Sequence, residues 1–169
     1  FFKILIFYSV ATTGIILFFF TRFIIFFPEL IHKYINGNDL WEMGYEFSNS
    51  IGIHAPALNM HLAFVSICSL FFVFKSFHQK EKWILRLSNI ILFILSFFFV
   101  LFVNTRMALF NALIGFVLIF FGEVMRKYNL KKVVGTMTVL MVVLGGVLFL
   151  FVQSNPYMKE KYSSVTFAH

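Results

Sequence analysis

The sequence has 169 residues, of which 60% are hydrophobic and only 12% carry a charge. A soluble domain carries about 25% charged residues and cannot hide this much apolar surface in one small core, so the composition excludes a water-soluble globular protein. The net charge of +7 would suit a nucleic-acid partner, but the basic residues stand between apolar runs, which indicates topology signals and contacts with membrane lipids instead.

Five apolar runs are each long enough to cross a membrane as a helix, which takes about 20 residues. The predicted fold is therefore an all-α polytopic membrane protein with a single membrane domain. The predicted spans are residues 2–20, 55–74, 83–103, 107–125 and 133–152. Residues 28–53 are predicted to form an acidic outer loop at the membrane interface, and residues 153–169 a polar tail.

The polar break at residues 104–106 decides the predicted topology. A single helix over residues 83–121 would be about 60 Å long, whereas the hydrocarbon core of a bilayer is about 30 Å thick. Two spans also place the basic segments 75–86 and 126–132 on the same side, as the positive-inside rule requires. We therefore expect those segments and Lys3 to be cytoplasmic, and the outer loop, the break and the tail to lie on the outer face.

Arg106 is the most informative single residue in the sequence. A charge flanked by apolar helices is costly unless it reaches water or meets an anion. Arginine binds phosphate oxygens through a planar fork of donors, and Asn104, Thr105 and the first N–H groups of the following helix add neutral donors. The segment predicts either a site for a lipid-linked phosphate at the outer surface or an arginine that only anchors the turn.

A second group of polar residues, His54, Asn59 and His61, opens the span at residues 55–74. The two histidines are seven positions apart and about 10 Å apart along a helix axis, which is too far for one metal ion. No cysteine and histidine spacing indicates a metal site, so no metal is predicted. These side chains either hydrogen-bond a neighbouring helix or line an outward-facing cavity shared with Arg106.

Two stretches carry a resemblance to the O-antigen ligase and polymerase superfamily of bacterial envelope enzymes, and the tail is similar as well. Residues 103–115, Val-Asn-Thr-Arg-Met-Ala-Leu-Phe-Asn-Ala-Leu-Ile-Gly, are similar to the family's Ser-Arg turn and the Ala/Leu-rich helix after it. Residues 52–62, Gly-Ile-His-Ala-Pro-Ala-Leu-Asn-Met-His-Leu, are similar to its Gly-x-x-His-Pro segment. Residues 155–163 resemble the start of its large periplasmic loop.

The sequence also departs from the pattern of this family. Thr105 stands where serine is usual, Ala55 is inserted between His54 and the following proline, and lysines stand in the tail where an arginine is common. The chain stops before the large loop that supplies a second arginine and a catalytic histidine in the family. We therefore expect a fragment that is inactive alone, with its catalytic residues in the missing loop.

The resemblance implies an integral-membrane glycosyltransferase of lipopolysaccharide biosynthesis in the bacterial inner membrane, with a periplasmic active face and no cofactor. It implies transfer of a glycan from undecaprenyl diphosphate to lipid A core or another acceptor, or to a growing chain in a polymerase. Arg106, Asn104 and Thr105 would bind the diphosphate. The alternative is a non-enzymatic transporter or flippase subunit, for which repeated halves and helices broken near the midplane are typical.

Overall fold

The computed structural model describes residues 2–36, 40–127 and the separate positions 135, 138, 139, 142 and 146. Almost all of these residues are helical. In chain order the helices are α1 (Phe2–Phe26), α2 (Pro28–Asn36), α3 (Leu40–Ile51), α4 (Ala55–His78), α5 (Trp83–Val103) and α6 (Arg106–Lys127). No β-strand occurs within these residues, and four of the helices, α1, α4, α5 and α6, are long and apolar enough to cross a membrane. The prediction of an all-α polytopic membrane protein is confirmed.

The long helices extend further than several of the predicted spans. α1 continues beyond residue 20 to Phe26, because Phe23 is still buried among neighbouring helices, and α4 continues beyond residue 74 to His78. The predicted tail, residues 153–169, lies outside the described residues. So does the predicted fifth span, residues 133–152, except for the five separate positions given above.

Most of the segment predicted as an outer loop, residues 28–53, is helical and forms α2 and α3, and its place outside the membrane stays a prediction. Met43 and Phe47 are four positions apart, lie on one face of α3 and are both buried. The acidic Glu42 is exposed, so the polar composition that suggested a loop belongs to the other side of a short amphipathic helix.

A tight cap fixes the connection between α3 and α4. Gly52 has a φ of +77°, a conformation that glycine adopts without steric cost. Its N–H donates to the carbonyl oxygen of Asn49 at 2.9 Å, and the N–H of Ile53 donates to that of Ser48 at 3.2 Å, which is the Schellman pattern. The Ser48 hydroxyl also donates to the Ile53 carbonyl oxygen, so the start of α4 is held against the end of α3.

The long helices run alternately up and down. Ring contacts of Phe2 with Phe71 and of Tyr8 with Phe64 set α1 antiparallel to α4, which packs against α5 as a hairpin. The ends of α1 and α5 and the starts of α4 and α6 therefore lie together, and we call this the turn end of the bundle. The described residues up to Ile119 form one compact unit, and the contacts between helices given below lie within it.

Phenylalanine rings fill the core near the turn end. Phe20 of α1 makes edge-on contacts with Phe47 of α3 and with Phe99 and Phe102 of α5, at centroid distances of 5.7, 5.4 and 5.3 Å. Phe23 of α1 contacts Phe47 in the same way at 5.7 Å. Such pairs contribute about 0.5–1.5 kcal/mol each beyond the burial of their area, so the cluster ties α1, α3 and α5 together.

The close approach of α3 to α5 depends on Gly44. A Cβ atom at this position would lie 2.0 Å from the carbonyl oxygen of Phe102 and 2.8 Å from the Cα atom of Val103. Both are backbone atoms, which cannot rotate away as a side chain can. The last turn of α5 is therefore in direct contact with the backbone of α3.

We expect Gly44→Ala to lower the free energy of unfolding by about 1–3 kcal/mol, the usual cost of forcing an extra carbon into a packed interior. Gly14→Ala in α1 is the matched control, because the space around Gly14 is open and alanine favours the helix. Thermal unfolding of both variants in detergent measures the difference. Equal melting temperatures for the two variants would contradict the contact between α3 and α5.

Candidate functional site

Two residues join α5 to α6. Asn104 has φ 51° and ψ 57°, the left-handed conformation that asparagine tolerates better than most residues. Its N–H donates to the carbonyl oxygen of Val100 at 3.0 Å and closes the last turn of α5. Contacts of the Phe116 ring with Phe93 and Phe97 show that α6 returns along α5. The polar break at residues 104–106 is therefore the turn of a helical hairpin.

Thr105 lies immediately before the first residue of α6 and is buried. Its carbonyl oxygen accepts the N–H of Leu109 at 3.1 Å, so it already belongs to the hydrogen-bond ladder of α6. Its side-chain oxygen accepts a hydrogen bond from the Nδ2 atom of Asn59 at 3.0 Å. This bond joins α4 to the turn across 46 positions of sequence.

Arg106 begins α6, and its side chain is half-buried. The first turn of any helix has N–H groups that no carbonyl of the same helix accepts, and they carry a partial positive charge. Arg106 and these N–H groups therefore lie at the same end of α6. This arrangement favours an anion, and the planar fork of the guanidinium matches the oxygen atoms of phosphate or carboxylate.

Asn59 is fully buried on α4. Its Nδ2 atom is used by Thr105, whereas its Oδ1 atom has no hydrogen-bond partner among the described residues. Buried amide oxygens without a partner are uncommon and destabilising. Asn59 therefore makes one interhelical hydrogen bond and leaves its Oδ1 atom buried without a partner among the described residues.

α4 and α6 stay in contact below the turn. The Nδ2 atom of Asn111 donates to the Sδ atom of Met60 at 3.2 Å. A Cβ atom on Gly115 would lie 2.4 Å from the Cδ1 atom of Ile67, so glycine permits the close approach of the two helices. The bond between Asn59 and Thr105 is thus the first of a series of contacts along this pair of helices.

The two histidines lie away from this bond. His54 precedes α4 and is exposed, and its side chain makes no capping hydrogen bond. His61 is two positions from Asn59, and a helix turns about 200° over two residues, so the two side chains leave α4 on opposite faces. His61 instead pairs with Tyr8 of α1, whose hydroxyl oxygen lies 3.0 Å from its Nδ1 atom.

The structure therefore brings Asn59 to the predicted phosphate-binding turn, and it joins His61 to α1. Tyr8 was not predicted as a partner, and the one available signal was a lone tyrosine inside an apolar run. Among the described residues, no group of three histidine, cysteine or acidic side chains is placed to hold a metal ion.

Comparison of the chain with protein-family models, curated proteins and solved structures finds no match. The function must therefore be argued from the residues of the turn and the helices around it.

We expect Asn104→Ala to be less stable than Asn104→Gly by about 1–2 kcal/mol, because alanine pays the steric cost of the left-handed conformation and glycine does not. Both variants remove the same side chain, so the comparison isolates the backbone effect. Melting temperatures in detergent provide the measurement. If the alanine variant melts at or above the temperature of the glycine variant, the turn does not have the left-handed conformation at residue 104.

Proposed function

We propose that the chain belongs to an integral-membrane glycosyltransferase of the O-antigen ligase type, which transfers a glycan from undecaprenyl diphosphate to lipid A core or another acceptor. A polymerase of the same superfamily, which extends a growing glycan chain, shares this donor chemistry. One observation carries the proposal. The hydrogen bond between Asn59 and Thr105 connects the two segments, residues 52–62 and 103–115, on which the resemblance rests.

The proposed donor site is the turn of Asn104, Thr105 and Arg106. Breaking the bond between sugar and diphosphate leaves negative charge on the departing phosphate. Arg106 and the N–H groups at the start of α6 stabilise that charge, which is electrostatic catalysis by donors fixed in advance. Arginine is suited to this role because it stays protonated and holds two phosphate oxygens at once.

The proposed location is the bacterial inner membrane, with the turn end at the periplasmic face. The charge distribution supports this orientation. Lys75, Lys80, Lys82 and Arg86 lie at the end of α4, in the turn that follows and at the start of α5, opposite the turn end. Basic residues collect on the cytoplasmic side of membrane proteins.

Arg106→Ala tests the donor site in the host, with the gene that encodes this chain deleted and then restored as wild type or variant. We expect loss of the mature surface glycan and accumulation of its lipid-linked precursor, because the leaving diphosphate is no longer stabilised. Gel analysis of surface glycan and thin-layer analysis of lipid-linked precursor are the measurements. Arg106→Lys keeps the charge without the planar fork, and we expect it to restore only a small part of the glycan.

Arg22→Ala is the matched control for this experiment. Arg22 lies near the end of α1, also at the turn end, and its exposed guanidinium stands 5.9 Å from the Phe26 ring centroid. We expect this variant to make normal glycan. Normal glycan with Arg106→Ala at wild-type membrane levels would reduce Arg106 to a turn anchor and overturn the proposal.

The proposed orientation predicts the accessibility of single cysteines. Cys68 is the one cysteine in the sequence and is buried, so Cys68→Ala provides a cysteine-free background. A membrane-impermeant maleimide applied to intact spheroplasts should label Asn49→Cys near the end of α3 and leave Lys82→Cys unlabelled until the membrane is permeabilised. The reverse pattern would invert the topology and place the turn in the cytoplasm.

A further inference from the structure

We propose that Asn59 is a positioning residue of the diphosphate site, which holds the Thr105 hydroxyl so that its O–H donates to a phosphate oxygen of the ligand. This inference rests on the proposed function, because it takes the turn of residues 104–106 as the place where the diphosphate binds. It adds a ligand-contacting hydroxyl and a buried residue that acts through it.

The direction of the hydrogen bond between Asn59 and Thr105 leaves the Thr105 proton available. The Nδ2 atom of Asn59 can only donate, so the oxygen of Thr105 accepts in the bond of 3.0 Å between them. A hydroxyl has one proton and two lone pairs, and one lone pair is now occupied. The proton of Thr105 is therefore turned away from Asn59 and stays available for another acceptor.

Thr105 lies at the start of α6, next to the proposed anion site. It immediately precedes Arg106, and its carbonyl oxygen starts the hydrogen-bond ladder of α6. Its hydroxyl thus lies at the end of α6 that carries Arg106 and the N–H groups of the first turn. An anion bound there would meet a hydroxyl that Asn59 already holds as a donor, so the hydroxyl would not have to reorient when the anion binds.

The bond from Asn59 to Thr105 gives Asn59 a route to the ligand through the hydroxyl. The side chain of Asn59 is fully buried and bonds the Thr105 hydroxyl, which lies nearer to the start of α6. Its Oδ1 atom has no hydrogen-bond partner among the described residues, which makes asparagine a poor choice for stability at this position. An apolar residue of similar size would avoid this cost, and residues that lower stability are characteristic of functional sites.

The test measures binding of farnesyl diphosphate to the purified protein in detergent by titration calorimetry, beside the melting temperature of each variant. Farnesol and inorganic pyrophosphate are titrated as well, because they separate recognition of the lipid from recognition of the anion. We expect Thr105→Val to weaken binding of farnesyl diphosphate roughly 10- to 100-fold, the effect of losing one hydrogen bond to a charged group. Thr105→Ser keeps the hydroxyl and should bind like the wild type.

A double-mutant cycle tests whether Asn59 acts through this hydroxyl. Asn59→Leu should weaken binding in the wild-type background and have no further effect in the Thr105→Val background. The double variant replaces both partners by apolar groups, so we expect its melting temperature to equal or exceed that of the wild type. A purely structural role predicts the opposite, which is a lower melting temperature that accompanies any loss of binding.

Each remaining outcome contradicts a definite statement. Wild-type binding by Thr105→Val, beside lost binding by Arg106→Ala, overturns the role of the hydroxyl and leaves the proposed function standing. Wild-type binding by Arg106→Ala overturns the proposed function itself. A further loss of binding on adding Asn59→Leu to Thr105→Val shows that Asn59 acts by another route. If the leucine variants do not fold, Thr105→Val alone decides, since it removes one hydroxyl and keeps the shape.

Discussion

The interior of a bilayer offers no water to the backbone, so each polar main-chain group within it must be satisfied by the protein. A helix does this everywhere except at its ends. The break between α5 and α6 therefore has to lie where its N–H and carbonyl groups find partners, and it does so in only two residues: Asn104 donates to Val100, and Thr105 accepts from Leu109. The same constraint applies to the break after α1. If both breaks lie at one membrane surface, the long helices must run about 30 Å to the other surface and alternate in direction.

The turn is held from two directions, by contacts of different kinds. On the side of α5, Gly44 brings the backbone of α3 against Phe102 and Val103, and the surrounding phenylalanine rings secure that contact. On the side of α6, Asn59 bonds Thr105. A hydrogen bond between membrane helices contributes only about 0.6 kcal/mol on average, whereas each aromatic pair adds about 0.5–1.5 kcal/mol beyond burial. The packing of α3 therefore contributes more to the stability of the turn than the hydrogen bond from Asn59 does.

Apolar run length and the placement of charges were sufficient to predict an all-α membrane protein and the polar turn, because the membrane imposes both. They were insufficient to predict which face of each helix is buried. A helix that is apolar all round carries no amphipathic signal, so hydropathy does not distinguish the face of α4 that bears Asn59 from the face that bears His61. The helices α2 and α3 were missed for a related reason, since a short helix with one apolar face and several acids has the composition of a loop. The roles of Gly44 and Tyr8 depend on residues distant in sequence: Gly44 contacts the backbone of α5, and Tyr8 contacts His61.

The buried polar groups near Arg106 bear on the two hypotheses that the sequence left open for this residue. An arginine that only anchors a turn needs a charged head near water and an apolar stem, and the residues behind it are best apolar. Here Asn59, Asn104 and Thr105 are all buried, and each places polar atoms in an environment where they are costly unless paired. Under either hypothesis Asn104 reverses the chain, and the bond from Asn59 to Thr105 joins α4 to the turn. The diphosphate proposal adds a ligand to this arrangement: under it, Thr105 donates to the anion, and Asn59 sets the direction in which that donor points.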